Sequence, residues 1–292
     1  MRKVFENLPI LLWPVMLYFA IVAVALALSE TGTNFNFDLL GSRLLFALLF
    51  AVLILLKPRV SARVFTLVSV ISVYAALSVL YKETAALNLF FGTPLDERLM
   101  TWDERIFGYQ PALKFSERLN GAFFNELMFM GYFSYYLMPL AVLWGIRKLP
   151  AQKTEEFGFV LISSFLVYYL FFIIMPAHGP QFYFEPPANQ IEAQGIFGKV
   201  IKVIQANGEA PTAAFPSSHV GISWVVLLWL YYNRRSFIAF LMPFVILLMM
   251  ATVYIKAHYF VDVIAGVATA PLVYSASLSL YNLLKWQLKF GK

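Results

Sequence analysis

Lys256-Ala257-His258-Tyr259-Phe260-Val261-Asp262 opens an apolar run that continues to about Leu284. Three ionisable side chains at the head of a stretch long enough to cross a bilayer are costly to place and rarely idle. If the run is helical from its start, His258 and Asp262 are four residues apart and share one face. A carboxylate there fixes the tautomer of the imidazole and leaves its other nitrogen as base or nucleophile. Alone, the pair is equally consistent with packing. A second apolar run opens in the same way, on Pro216-Ser217-Ser218-His219. The chain has three histidines, and two of them stand at such starts.

Working outward, 61% hydrophobic against 13% charged residues lies far from soluble composition. The fold class expected is all-α: a polytopic membrane helical bundle. The net charge of +6 does not suggest nucleic acid, because the basic residues are spread through short connections. With no cysteine, disulfides and thiolate metal sites are excluded. Eight apolar runs can be marked at 9–28, 40–56, 62–81, 123–146, 157–175, 217–232, 236–255 and 258–284. The first, preceded by Arg2 and Lys3, resembles a secretory signal but has the length of a full span, and is read as a retained helix.

Eight spans put five basic clusters on one side: Arg2 and Lys3; Lys57, Arg59 and Arg63; Arg147, Lys148 and Lys153; Arg234 and Arg235; Lys285, Lys289 and Lys292. The other side carries Glu30, Asp38, Glu83, Asp96, Glu97, Asp103, Glu104, Glu185, Glu192 and Glu209. Basic loops mark the cytoplasmic face. Both termini are therefore expected inside, in a plasma (bacterial inner) membrane, with His219, His258 and Asp262 at the outer surface.

Three segments follow: an N-terminal pair or trio of helices at 1–81, an outer connection at 82–122, and a catalytic core at 123–292. Within the connection, Asp96-Glu97-Arg98 recurs as Asp103-Glu104-Arg105, while Leu95, Leu99, Trp102 and Ile106 share another face. That pattern predicts an amphipathic helix on the lipid surface with a solvated charged side, or else a lid. The second long connection, 176–216, is rich in proline and glycine and reads as a shaped loop without regular helix.

A helix starting at Pro216 or Ser217 offers free N–H groups and a dipole to an anion, and Ser217 and Ser218 add hydroxyls. His219 beside a phosphoryl group can protonate a departing oxygen; His258 can attack phosphorus and carry it as phosphohistidine. No metal pattern accompanies the histidines, and the chemistry expected is metal-free and cofactor-free.

Pro-Ser-x-His followed about forty residues later by His-x-x-x-Asp resembles the type 2 phosphatidic acid phosphatase superfamily. The fuller Phe215-Pro216-Ser217-Ser218-His219 and His258-Tyr259-Phe260-Val261-Asp262 resemble its inositol phosphorylceramide synthase-like branch. The likeness covers about Tyr132 to Gly266. It implies a six-helix core preceded by two helices, with His258 as nucleophile, Asp262 its partner, His219 the general acid, and Ser217 and Ser218 on phosphate. Two arginines expected of the phosphatases are missing: Gln181 follows Gly179-Pro180, and Ala251 and Thr252 stand where Ser-Arg would be. Lys256 is read as supplying one charge, with Gln181 and His178 as further pocket residues. The activity implied is a phosphoesterase or phosphotransferase acting on a lipid phosphate or pyrophosphate. The alternatives are head-group transfer to a lipid or alcohol acceptor, as in the synthase-like branch, and a non-catalytic lipid-phosphate binder.

Overall fold

The computed structural model describes residues 8–28, 37–88, 93–188, 190–208 and 211–290. Its helices of eight residues or more are α1 (Leu12–Leu28), α2 (Phe37–Leu56), α3 (Ala62–Leu87), α4 (Asp96–Phe107), α5 (Pro111–Arg118), α6 (Ala122–Gly145), α7 (Ala151–Ile174), α8 (Ile196–Gly208), α9 (Ser218–Asn233), α10 (Ile238–Tyr254) and α11 (Phe260–Phe290). The expected all-α architecture is present, and each of the eight apolar runs contains a helix. Six of these helices are long and apolar enough to cross a membrane. Of the six, α10 reaches that length only together with the preceding turn Arg235–Phe237, and α1 and α9 have 17 and 16 residues, so the count of eight spans is not carried by length. Arg2, Lys3, Glu30, Glu209 and Lys292, used in the charge pattern, lie outside the described residues.

α7 is the axis of the bundle. Its residues from Phe157 to Leu166 are all buried, and it touches α1, α3, α9 and α11. α9 pairs most extensively with α11, and α10 with α6. Helices in lipid approach closely where small residues remove side-chain bulk. Gly221 of α9 and Gly266 of α11 do this: a Cβ at Gly266 would lie 2.6 Å from the Ser217 carbonyl oxygen and 3.2 Å from the Gly221 nitrogen. The same end of α9 carries His219, and the same end of α11 carries Asp262.

Three expectations change in the connections. The segment 176–216 is not free of regular helix: α8 forms between its prolines, and the Glu126 carboxylate of α6 caps it by accepting the Phe197 and Gly198 N–H groups at 2.6 and 3.1 Å. Next, α11 begins at Phe260, so His258 precedes the helix rather than sharing a helical face with Asp262. Lastly, α4 is helical as predicted, with Trp102 and Ile106 exposed, but its charged side is not wholly solvated. Asp96 and Asp103 are buried, while Glu97, Arg98, Glu104 and Arg105 face outward. The sequence does not display the backbone donors, described next, that occupy these two carboxylates.

Candidate active site

The segment Ile255–Tyr259 carries the chain from α10 into α11 and holds His258 off the helical lattice. Lys256 there has a left-handed backbone, φ 68°. The His258 N–H donates to the Thr252 carbonyl at 3.0 Å, and the Gln181 N–H to the Lys256 carbonyl at 2.7 Å. Gly179, at φ 82°, passes so close that a Cβ would lie 2.7 Å from the Ala257 carbonyl oxygen. The loop after α7 and the loop before α11 thus clamp one another.

His258 is buried, and its Nδ1 faces two oxygens: the Ala214 carbonyl at 2.8 Å and Asp262 Oδ2 at 3.4 Å. Both are acceptors, so the proton belongs on Nδ1 and the lone pair on Nε2. That Nε2 lies 3.3 Å from His219 Nδ1. The two histidines, 39 residues apart in sequence, therefore meet directly, with His219 donating to His258 in this arrangement. Tyr132 and Tyr135 both pack against the His219 ring, at centroid distances of 4.6 and 4.4 Å. Asp262 Oδ2 also accepts the Tyr259 N–H at 2.9 Å, while Oδ1 is buried without a hydrogen-bond partner among the described residues. A carboxylate so little neutralised is well suited to stabilise an imidazolium beside it.

The helix starts at the two histidines differ. At α9, Ser217 caps the helix by accepting the Val220 N–H at 3.4 Å, and its own N–H donates to the Asp262 carbonyl. The N–H groups of Ser218 and His219 then remain without a protein acceptor among the described residues, next to the imidazoles. At α11, by contrast, every early N–H is taken. Tyr259 N–H goes to Asp262, and Phe260 and Val261 N–H go to Asp103, both at 2.9 Å. An anion is thereby directed to α9, whose positive end is open, and away from α11, whose end already holds carboxylates.

A cavity of about 290 Å³ reaches this point, lined by Ser218, His219 and Tyr135, by Tyr74 and Tyr81 of α3, and by Lys82. It is mainly apolar, with hydroxyls and one ammonium, the sort of lining that receives a lipid chain and a charged head group.

The site residues expected from sequence divide in two. His219, His258, Asp262, Ser217 and Ser218 come together; Ser217 serves as the buried cap and Ser218 lines the cavity. The other three have protein partners elsewhere. Lys256, read as a phosphate grip, is buried with its Nζ donating to the Ala112 carbonyl at 3.0 Å and Ser116 Oγ at 2.6 Å. Burial lowers its ammonium from 10.5 to about 8. The Gln181 amide oxygen accepts from Gln205 at 2.8 Å. His178 is bound to Asp96 through both its backbone N–H and its Nδ1, each 2.9 Å from Oδ2.

Sequence reading missed the Ala214 carbonyl, the two tyrosines around His219, and the acids of α4. Only the acids left a signal: Asp96 and Asp103 are seven residues apart, on one helical face.

A sequence profile described as the PAP2 superfamily matches residues 99–276. The chain belongs to that superfamily. The match starts inside α4, earlier than Tyr132, so the PAP2 region includes most of that helix as well as both histidines. A PA-phosphatase related-family protein of Dictyostelium discoideum is 27% identical over 173 residues, covering 50% of this chain and 30% of the relative. The chain thus spans under a third of that relative's length. No solved structure matches the chain.

Proposed function

We propose that this PAP2 protein is an integral membrane phosphoesterase or phosphotransferase that works on a lipid phosphate or pyrophosphate through a phosphohistidine. One observation carries the reading: His258 Nε2 and His219 Nδ1 lie 3.3 Å apart beside the open start of α9. The His258 lone pair attacks phosphorus, the P–O bond to the lipid breaks, and His219, entering as imidazolium, gives its proton to the departing oxygen and becomes neutral. In the second half, water or an acceptor alcohol gives its proton to His219 while its oxygen takes phosphorus from His258. Asp262 and the Ala214 carbonyl hold the Nδ1 proton throughout.

In-line attack places the nucleophile and the leaving oxygen on opposite sides of phosphorus. The two ring nitrogens must then stand roughly 6–7 Å apart in the reacting complex. From the 3.3 Å observed, the two rings must therefore move apart to admit a phosphoryl group between them. The basic clusters support a topology with this site on the extracytoplasmic face and both termini inside. The name of the Dictyostelium relative agrees with phosphatidic acid as a substrate class.

Head-group transfer of the inositol phosphorylceramide synthase type is the second reading. It is favoured by the apolar, tyrosine-lined cavity at His219, since transfer requires that water be kept from the phosphoenzyme. One assay separates the two. Purified protein is given fluorescent phosphatidic acid or a polyprenyl pyrophosphate, with and without a ceramide or diol acceptor. Free phosphate without acceptor marks a hydrolase; product only with acceptor marks a transferase. Full turnover by His258→Ala would sink the mechanism, and binding without turnover by the wild type would leave a lipid-phosphate binder.

A further inference from the structure

We propose that α4 is a positioning element for the histidine pair, acting through Asp103 on the start of α11 and through Asp96 on the loop opposite. The proposal deepens the catalytic reading above and rests on it for its kinetic arm. Asp103 and Asp96 are 0% and 1% exposed, on a helix whose neighbouring charges are in solvent. Burying two carboxylates is unfavourable unless each is fully engaged, and here each is. Burial pushes the Asp103 carboxyl up, against the two N–H bonds that pull it down.

What the two acids hold determines where His258 can be. Asp103 grips Phe260 and Val261, the residues immediately after the His258-Tyr259 pair, with one oxygen for each N–H. Asp96 takes the Gly179 N–H at 3.0 Å, the His178 N–H, His178 Nδ1 and the Tyr259 hydroxyl at 3.1 Å. His258 therefore lies between a helix start pinned by Asp103 and a loop pinned by Asp96. It has no helical lattice of its own to locate it, since α11 begins two residues later. An imidazole that must align its lone pair with phosphorus loses about 10²-fold in rate for an ångström of misplacement. The acids touch neither the reacting nitrogens nor the cavity lining, so their action is through the backbone. Asp103 also fills the α11 start with negative charge and so leaves α9 as the seat for phosphate.

The test compares Asp103→Asn, Asp103→Glu and Asp96→Asn with Glu104→Gln, an exposed acid on the same helix. Asparagine keeps the size of aspartate but can accept only one of the two N–H bonds at Asp103 and turns a donor toward the other. The expected result is a fall in kcat of about 10²-fold for Asp103→Asn with KM within about two-fold, partial recovery in Asp103→Glu, and no change in Glu104→Gln. A second readout needs no turnover. The chain has three histidines, so a ¹⁵N-histidine NMR spectrum in micelles resolves each ring. Asp103→Asn should shift the His258 and His219 nitrogens, and Asp96→Asn those of His178 as well, with the melting temperature within a few degrees of wild type. Unaltered His258 and His219 signals in a folded Asp103→Asn protein overturn the positioning role. A variant that unfolds outright does so too, by making the acid a general stability element. If the signals shift but even the wild type turns over no lipid phosphate, the catalytic reading fails and the positional one stands.

Discussion

His258 has two acceptors at Nδ1, and the nearer is the Ala214 carbonyl rather than Asp262. In the proposed mechanism orientation and charge are thus divided: the carbonyl fixes the tautomer, and the carboxylate stabilises the cation formed when Nε2 is phosphorylated. The proposal gives His219 the complementary duty, which depends on the leaving group. An alkoxide needs its proton, whereas an aryl oxide with a pKa near 7 leaves without one. His219→Ala should therefore lower kcat on an alkyl phosphate by about 10²–10⁴-fold and far less on an aryl phosphate. Equal losses on both substrates would remove the general-acid role. Lys256 gives a prediction about stability. Its folded value of about 8 lies below the ordinary 10.5, so between those pH values the unfolded chain binds the extra proton. Stability therefore rises with pH across that window, and the full penalty of burying the charge is present at pH 7. The melting temperature of the detergent-solubilised protein should climb from pH 8 to 10 relative to that of Lys256→Met. Parallel pH curves for the two proteins would contradict this.

At the scale of elements, the site is made where α9 and α11 touch. Gly266 permits the approach, and the Ser217 N–H bond to the Asp262 carbonyl at 3.1 Å ties the two helix starts together. Gly266→Val forces a side chain against backbone that has no rotamer to change. Overpacking of this kind costs about 1–3 kcal/mol. The larger effect expected is separation of the imidazoles: activity falls more than 10²-fold while the protein still purifies as a folded species. Wild-type turnover in Gly266→Val would mean that the close approach does not set the histidine geometry. The α4 helix illustrates what its sequence hides. Its amphipathic spacing identified the helix, yet the charged face serves as a clamp, because its partners are backbone N–H groups about eighty and about 160 residues distant.

Across the whole molecule, the cavity joins the PAP2 region to α3, which precedes it. His219 and Ser218 lie within the matched residues 99–276, whereas Tyr74, Tyr81 and Lys82 come from α3. Lys82 is exposed and lines the same cavity as Ser218 and His219, while the buried Lys256 ammonium is held by α5. Lys82→Glu should therefore raise KM for a lipid phosphate by about five-fold at low salt, with kcat nearly unchanged and the effect shrinking as salt is added. A salt-independent change, or none, would place Lys82 away from the bound anion.

By itself the sequence determined the solvent of this protein and the superfamily it belongs to. Apolar runs of bilayer length admit only helices or closed barrels, and here they select helices. Imidazoles at the start of two such runs, with Ser217, Ser218 and Asp262, were legible because each motif is local. Tertiary structure decided which groups meet. Lys256 points to α5, Asp96 and Asp103 leave the solvent, and a backbone carbonyl outranks the expected carboxylate at Nδ1. These outcomes depend on unpaired N–H and C=O groups exposed at helix ends and loop crossings. No residue type encodes such groups, since every residue carries them, and only the packed chain decides which remain to be satisfied.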